Sequence, residues 1–217
     1  MQATTPVRPE FIISDESDLR DHFPPTHDLA ARKCLDHLDP HARAFLARAP
    51  FLCIGTQSAD GAADVSPRGD PNGFVTVLDD RTLLIPDRPG NNRLDTLANI
   101  LAQPAVGLLF LVPGYDETLR INGTAQISRD PELCALTAMN DRPALAVIVV
   151  RVQEVYLHCA KALRRSRLWD ATAHVDRAEM PSLIRMLHDQ VGETPQDPKV
   201  MQQLDEALEA GYKRSMY

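Results

Sequence analysis

Phe51-Leu-Cys-Ile-Gly-Thr-Gln-Ser-Ala-Asp-Gly61 is the stretch on which the fold turns. Phe51 to Gln57 has strand character, and Asp60-Gly61 favours the positive φ of a tight hairpin turn. A second strand then runs toward Arg68. The pattern repeats twice: Phe74 to Leu78 and Thr82 to Ile85 flank Asp79-Asp80, while Val106 to Val112 and Thr118 to Ser128 flank Pro113-Gly114. The longest β run, Ala144 to Cys159, is rich in Val and Ile. Its first half is apolar on both faces, as in a barrel strand packed inside and against a partner. Six or more strands joined mainly by hairpins, with short helices between them, predict a mainly β, α+β fold: an antiparallel barrel with peripheral helices. Strands do not alternate with crossover helices, which disfavours a doubly wound sheet.

Working outward, residues 1–25 are polar, contain Pro6, Pro9, Pro24 and Pro25, and read as an arm. Asp28 to Ala49 reads as a helical stretch, with Leu29, Leu35, Leu38, Phe45 and Leu46 on one face and Pro40 opening a new helix midway. Asn91 to Leu101 reads as a short amphipathic helix burying Leu94, Leu97, Ala98 and Leu101. Asp130-Pro131 opens another. The last 45 residues read as helical and polar, with Pro195 and Pro198 ahead of a final helix near Val200 to Leu208. The expected organisation is an N-terminal extension (1–35), the barrel (36–170) and a helical C-terminal extension of the same domain (171–217).

The 217 residues, 44% hydrophobic and 24% charged, suit a globular protein that needs no staples. A net charge of −7 argues against broad nucleic-acid affinity, because a duplex repels an acidic surface. Any anion site must then be a local basic pocket. Cys34, Cys53, Cys134 and Cys159 include no C-x-x-C pair, and Cys53 and Cys159, in apolar runs, read as core residues. No basic-then-apolar start and no apolar run of about 18 residues is present, so a cytoplasmic protein without a membrane role is expected.

Three segments carry candidate chemistry. In Asp64-Val-Ser-Pro-Arg-Gly-Asp70, Pro67 lacks a backbone donor and Gly69 permits close approach, so the strand end leaves main-chain groups for a heterocycle while Arg68 offers a cation. A polar loop with an Arg–Asp surface pair is the alternative. In Ile85-Pro-Asp-Arg-Pro-Gly-Asn-Asn-Arg93, Arg88 and Arg93 flank the start of the expected helix, where Asn91 and Asn92 can cap it or donate to an oxyanion. A helix N-terminus carries about half a positive charge and unpaired N–H groups, which is how a phosphate is held without a Walker loop. A plain Asn cap with surface arginines is the competing explanation. In His158-Cys-Ala-Lys-Ala-Leu-Arg-Arg-Ser-Arg-Leu-Trp169, Lys161, Arg164, Arg165 and Arg167 stand beside the only Trp. Cations next to an aromatic plane suit a ligand with a phosphate at one end and a π-system at the other, or form a solvated basic turn. As a nucleic-acid footprint one short run is weak.

At these segments the chain resembles the FMN-binding members of the pyridoxamine 5′-phosphate oxidase-like superfamily. The resemblance is to a branch carrying S-P-R-G-D-P-x-G-F, L-L-I-P-D-R-P-G-N-N-R and H-C-x-K-A-L-x-R-S-x-L-W, here Ser66–Phe74, Leu83–Arg93 and His158–Trp169. It runs from about Asp36 to Asp170. The resemblance implies a split β-barrel that works as a homodimer with flavin mononucleotide (FMN) at the subunit interface. It implies that Ser66, Pro67, Arg68 and Gly69 run beside the ring and ribityl chain, and that Arg88, Asn92 and Arg93 hold the phosphate. Lys161, Arg165, Arg167 and Trp169 would approach from the second subunit. One element of the vitamin B6 oxidase is missing: no arginine–x–histidine follows Trp169, where the chain reads Asp-Ala-Thr-Ala-His-Val-Asp-Arg.

Two functions follow as expectations: an FMN-dependent oxidoreductase acting on a small organic molecule, or a carrier or sensor holding flavin, haem or deazaflavin without turnover. FMN itself performs such chemistry, and Arg68 or Arg167 could supply a cation to the reduced ring. No metal site is expected: His37 and His41 are four apart, but position 38 is Leu and the H-E-x-x-H pattern fails. His158 reads as a barrel-rim histidine or a hydrogen-bond donor.

Overall fold

The structure, a computed structural model, describes residues 7–216; Pro6 of the expected arm lies outside them. The chain divides into a small unit ending at Cys34 and a large one beginning at Leu35.

In the small unit, Asp15 caps helix α1 (Glu16–His22) by accepting from the Asp18 amide at 2.9 Å. Helix α2 is one short piece, Asp28–Arg32. None of the unit's described residues is buried. The helical stretch expected from Asp28 to Ala49 forms only in part, although a new helix does open at Pro40 as expected. Between the two pieces Leu35 makes a β-bridge to Val155, exchanging hydrogen bonds of 3.0 and 2.8 Å, and helix resumes only at α3 (Pro40–Leu46). Asp39 caps α3 and Pro40 occupies its first turn, so the break falls where a donor-less residue costs nothing.

The large unit continues with β1 (Phe51–Gln57), β2 (Ala63–Gly69), β3 (Thr76–Val77), β4 (Thr82–Pro86), α4 (Asp95–Ala102), β5 (Ala105–Leu111), β6 (Thr118–Ser128), α5 (Pro131–Leu136), β7 (Val147–His158), α6 (Lys161–Ser166), α7 (Leu183–Val191) and α8 (Pro198–Ser215). The strands form one antiparallel sheet in the order β2-β1-β5-β6-β7-β4-β3, the split-barrel fold with helices around it. Alternation places Leu52 and Ile54 of β1, and Val106, Leu108 and Phe110 of β5, in one core with Leu83, Ile85, Ile121 and Val150. Every residue of β4 is buried: Leu83 and Ile85 face that core, while Leu84 joins Cys134, Ala144 and Val147 in a second cluster. The outer cover at the start of β7 is therefore this chain's own α5 region, rather than the partner its doubly apolar pattern suggested. Cys53 is half-buried and Cys159 exposed, so neither is the core residue expected, whereas Cys134 is buried. Pro198 starts α8, which runs to Ser215, well past the expected end near Leu208.

The β6–β7 register shifts between Asn122, opposite Glu154, and Gly123, opposite Val152. Gln153 is the extra residue, and the bulge bends the two longest strands. A Cβ on Gly123 would sit 2.1 Å from the Arg151 carbonyl oxygen, so only glycine fits without moving a strand. Gly123→Ala should lower unfolding free energy by about 2–3 kcal/mol in urea titration, the range for overpacking against fixed atoms. A change within the noise of the titration would contradict the bulge geometry.

Candidate functional site

β2 is an edge strand and β4 lies next to the opposite edge of the sheet, yet side chains join them. Arg68, on β2, donates to Asp87, just after β4, at 3.2 Å. Arg88 donates from Nε to Asp70, just after β2, at 2.7 Å. The pairs are reciprocal: each segment supplies one arginine and one aspartate. They bridge the split in the barrel, and a cavity of about 530 Å³ opens beside them, within the size range of ligand sites.

The cavity is lined by Asp64 to Gly69 on one side and by Pro86 to Leu97 on the other. It thus unites the first two candidate segments: Ser66, Pro67, Arg68, Gly69, Arg88, Asn91, Asn92 and Arg93 all line it. The local structure differs from expectation in one respect. The helix begins at Asp95, not Asn91, because Asn92 (φ 58°) and Leu94 (φ 60°) take left-handed conformations that bend the chain first. The Asn91 carboxamide accepts from the Arg93 amide at 3.1 Å and does not cap the helix. Leu94, the residue at the cap position, offers no side-chain oxygen, so the α4 first turn faces the cavity without a side-chain cap. Leucine rarely adopts this conformation, and such outliers gather at binding sites.

The cavity is not net basic. Arg68, Arg88 and Arg93 each pair with a carboxylate, the last with Asp95 at 2.7 Å. Asp95, with a smaller contribution from Asp64, holds the Arg93 guanidinium above its ordinary pKa. The expectation of a local basic pocket gives way to one of paired charges, whose donors act by direction more than by net field. One donor stands apart: Arg68 Nε is buried and has no hydrogen-bond partner. A buried guanidinium N–H left unpaired costs free energy until a ligand accepts from it.

The third segment lies elsewhere. Arg167 closes α6 in a left-handed conformation and donates to Asp170 and Thr172 at 2.7 Å each; Arg165 donates to the Lys161 carbonyl at 3.2 Å. Trp169 donates to the Tyr115 carbonyl at 2.8 Å, and the Tyr115 ring meets Phe45 edge-on. Lys161, Arg165, Arg167 and Trp169 do not line the cavity. Val147, where β7 begins, pairs with Pro86 at the cavity, whereas α6 follows the far end of β7. At about 3.3 Å per residue these ends stand roughly 35 Å apart along the strand.

Sequence reasoning missed several contributors. Asp70, Asp87 and Asp95 are the arginines' partners, and the R-G-D and D-R spacings of the two motifs were the available signal. Asp64 accepts from Thr56 at 3.3 Å, and buried Asn99 donates to Thr56 at 3.1 Å, a chain from α4 through β1 to the cavity wall. Arg164 pairs with Asp116 at 2.7 Å. The Thr137 carbonyl, which accepts from Arg88 at 2.8 Å, left no signal because any residue supplies one. His37 bonds Asp36 at 2.9 Å, and no metal-binding cluster of His, Cys, Asp and Glu occurs among the described residues. No helix of the described residues is long and apolar enough to cross a membrane.

The family model for pyridoxamine 5′-phosphate oxidase matches residues 38–159, more than half of the chain and all seven strands. The chain belongs to the pyridoxamine 5′-phosphate oxidase family. Among curated proteins no match is found. Of solved structures, the chain is similar to HupZ of Group A Streptococcus (18% identity, 54% of this chain and 90% of that one, TM-score 0.44). It is similar to an FMN-binding protein of Syntrophomonas wolfei (12%, 54% and 84%, TM-score 0.42). General stress protein 26 of Bacillus anthracis is a third likeness (14%, 52% and 88%, TM-score 0.40).

The two charge pairs at the split differ sharply in accessibility from the Arg93–Asp95 pair. Arg88→Ala would remove the guanidinium paired with the enclosed Asp70 carboxylate and should cost about 3 kcal/mol in ligand-free urea unfolding, as for other broken buried pairs. Arg93→Ala should leave the melting temperature unchanged. Equal effects of the two substitutions would contradict the assigned burial.

Proposed function

We propose that this protein is an FMN-binding flavoprotein that works as a homodimer and passes hydride or electrons between FMN and a small organic molecule. The observation that carries the reading is the unpartnered, buried Nε of Arg68, a residue that lines a cavity whose wall includes an uncapped helix start. A phosphorylated heterocycle answers both features, and family membership makes FMN the candidate. Bound FMN supplies hydride and single-electron transfer. The chain's task is then to hold it. Ser66, Pro67, Arg68 and Gly69 would follow the ring and ribityl chain, with Arg68 donating to an acceptor on the ring edge. Arg88, Asn91, Asn92 and Arg93 would take the phosphate, aided by the first-turn amides of α4.

A second copy is part of this reading. The outward face of the sheet carries exposed Val65 and Phe51 beside half-buried Cys53, Leu109 and Leu111, an apolar face suited to a second copy. Lys161, Arg165, Arg167 and Trp169 lie far along β7 from their own cavity, so the partner's cavity is the one they would complete. Val65→Asp should convert a dimer to a monomer in sedimentation and weaken FMN binding; a variant that remains dimeric would move the interface elsewhere.

One observation favours a carrier or sensor without turnover: among the described residues of one chain no His or Cys lines the cavity, so that wall by itself offers no side chain with an unperturbed pKa near neutrality for proton transfer. The test is a spectrum of the freshly purified protein followed by FMN titration. The proposal expects flavin absorption, release of FMN on heating, and bleaching by a nicotinamide or other donor with reoxidation by an acceptor. Flavin that binds but does not cycle would favour the carrier. A colourless protein that takes up no FMN would end both.

A further inference from the structure

Of the three arginine–carboxylate pairs around the cavity, the one at Arg88 is built differently. The Arg93–Asp95 pair is open to solvent, with the arginine side chain 73% exposed. In the Arg88–Asp70 pair the carboxylate is 0% exposed and the arginine side chain 19% exposed, so of the two it is the guanidinium that fronts the cavity. Arg88 is gripped twice: Nε by Asp70 at 2.7 Å and Nη2 by the Thr137 carbonyl at 2.8 Å. These acceptors sit on separate parts of the chain, one after β2 and one at the end of α5. Two bonds to one planar group fix both its plane and its rotation about the side-chain axis. Nη1 belongs to neither bond and is the edge left for a ligand.

Two opposite consequences of the buried carboxylate follow. It places a negative charge near any anion at Arg88, which weakens that anion's binding. It also orients the guanidinium and lets it lose water without a ligand, which strengthens binding by reducing reorganisation. The two-sided grip decides between them, because a carboxylate that only neutralised charge would need no second acceptor from a separate part of the chain.

We infer that Asp70 is a positioning residue: it aims Arg88 at a phosphate monoester terminus, so that the site recognises phosphate by donor direction and not by net positive charge. This rests on the proposed cofactor reading. The test compares affinities for FMN and for riboflavin, which lacks the phosphate, by quenching of flavin fluorescence in the full-length protein. For the wild type, FMN should bind more tightly. For Asp70→Asn the ratio of riboflavin to FMN dissociation constants should fall about tenfold, the equivalent of one charge-assisted hydrogen bond, with riboflavin affinity unchanged. Arg88→Lys keeps the charge and loses the fork, and should show the same fall; it serves as well if Asp70→Asn does not fold. A ratio that rises in Asp70→Asn would make the carboxylate a mere competing charge. Equal weakening of both flavins would make it structural, and an unchanged ratio in Arg88→Lys would mean that a point charge suffices; each overturns the inference. A wild type that binds FMN no better than riboflavin, or neither, instead overturns the cofactor reading, and this inference falls with it.

Discussion

Two reciprocal ion pairs, Arg68 with Asp87 and Arg88 with Asp70, join an edge strand of the sheet to the segment leaving β4, and the cavity opens between the segments they join. Burying such charges is expensive, and the cost is offset only where geometry and extra hydrogen bonds are good. Here Arg88 gains the Thr137 carbonyl, while Arg68 is left with one buried donor unsatisfied. The asymmetry has a physical reading: the Arg88 pair is supported by a second acceptor, whereas the Arg68 pair keeps one buried donor in reserve. The barrel supplies the frame, since the bulge at Gly123 bends β6 and β7 and the pairs span the split that remains.

Much of the fold was legible because it rests on short-range signals. Hairpin chemistry at Asp60-Gly61 and Pro113-Gly114, and period-two alternation in β1 and β5, locate strands without knowledge of their neighbours. Failures came where tertiary contacts override local preference. Leu35 sits in a helical pattern but pairs with Val155, a partner 120 positions away. The apolar start of β7 looked like an interface because the sequence does not say that α5 folds back over it. The start of α4 shifted by four residues because Asn92 and Leu94 adopt left-handed conformations; asparagine invites that, whereas leucine gives no warning.

In the site, motif order brought two segments to one cavity as expected, but the arginines' partners went unread. Attention to cations alone suggested a basic pocket. The aspartates two positions after Arg68 and one before Arg88 make it a paired one. The third segment is anchored instead around Tyr115 and Asp116. It stands at the far end of β7 from the cavity of its own chain, and no arginine–x–histidine element follows Trp169.

The central claim is that the enclosed Arg68 Nε–H waits for an acceptor that FMN provides. Proton–nitrogen NMR of arginine Nε–H groups reads this directly, with the Arg68 signal identified by its loss in Arg68→Lys. On addition of FMN that resonance should move downfield as the hydrogen bond forms, and its exchange with water should slow. Flavin that binds while the Arg68 resonance stays in place would contradict the account.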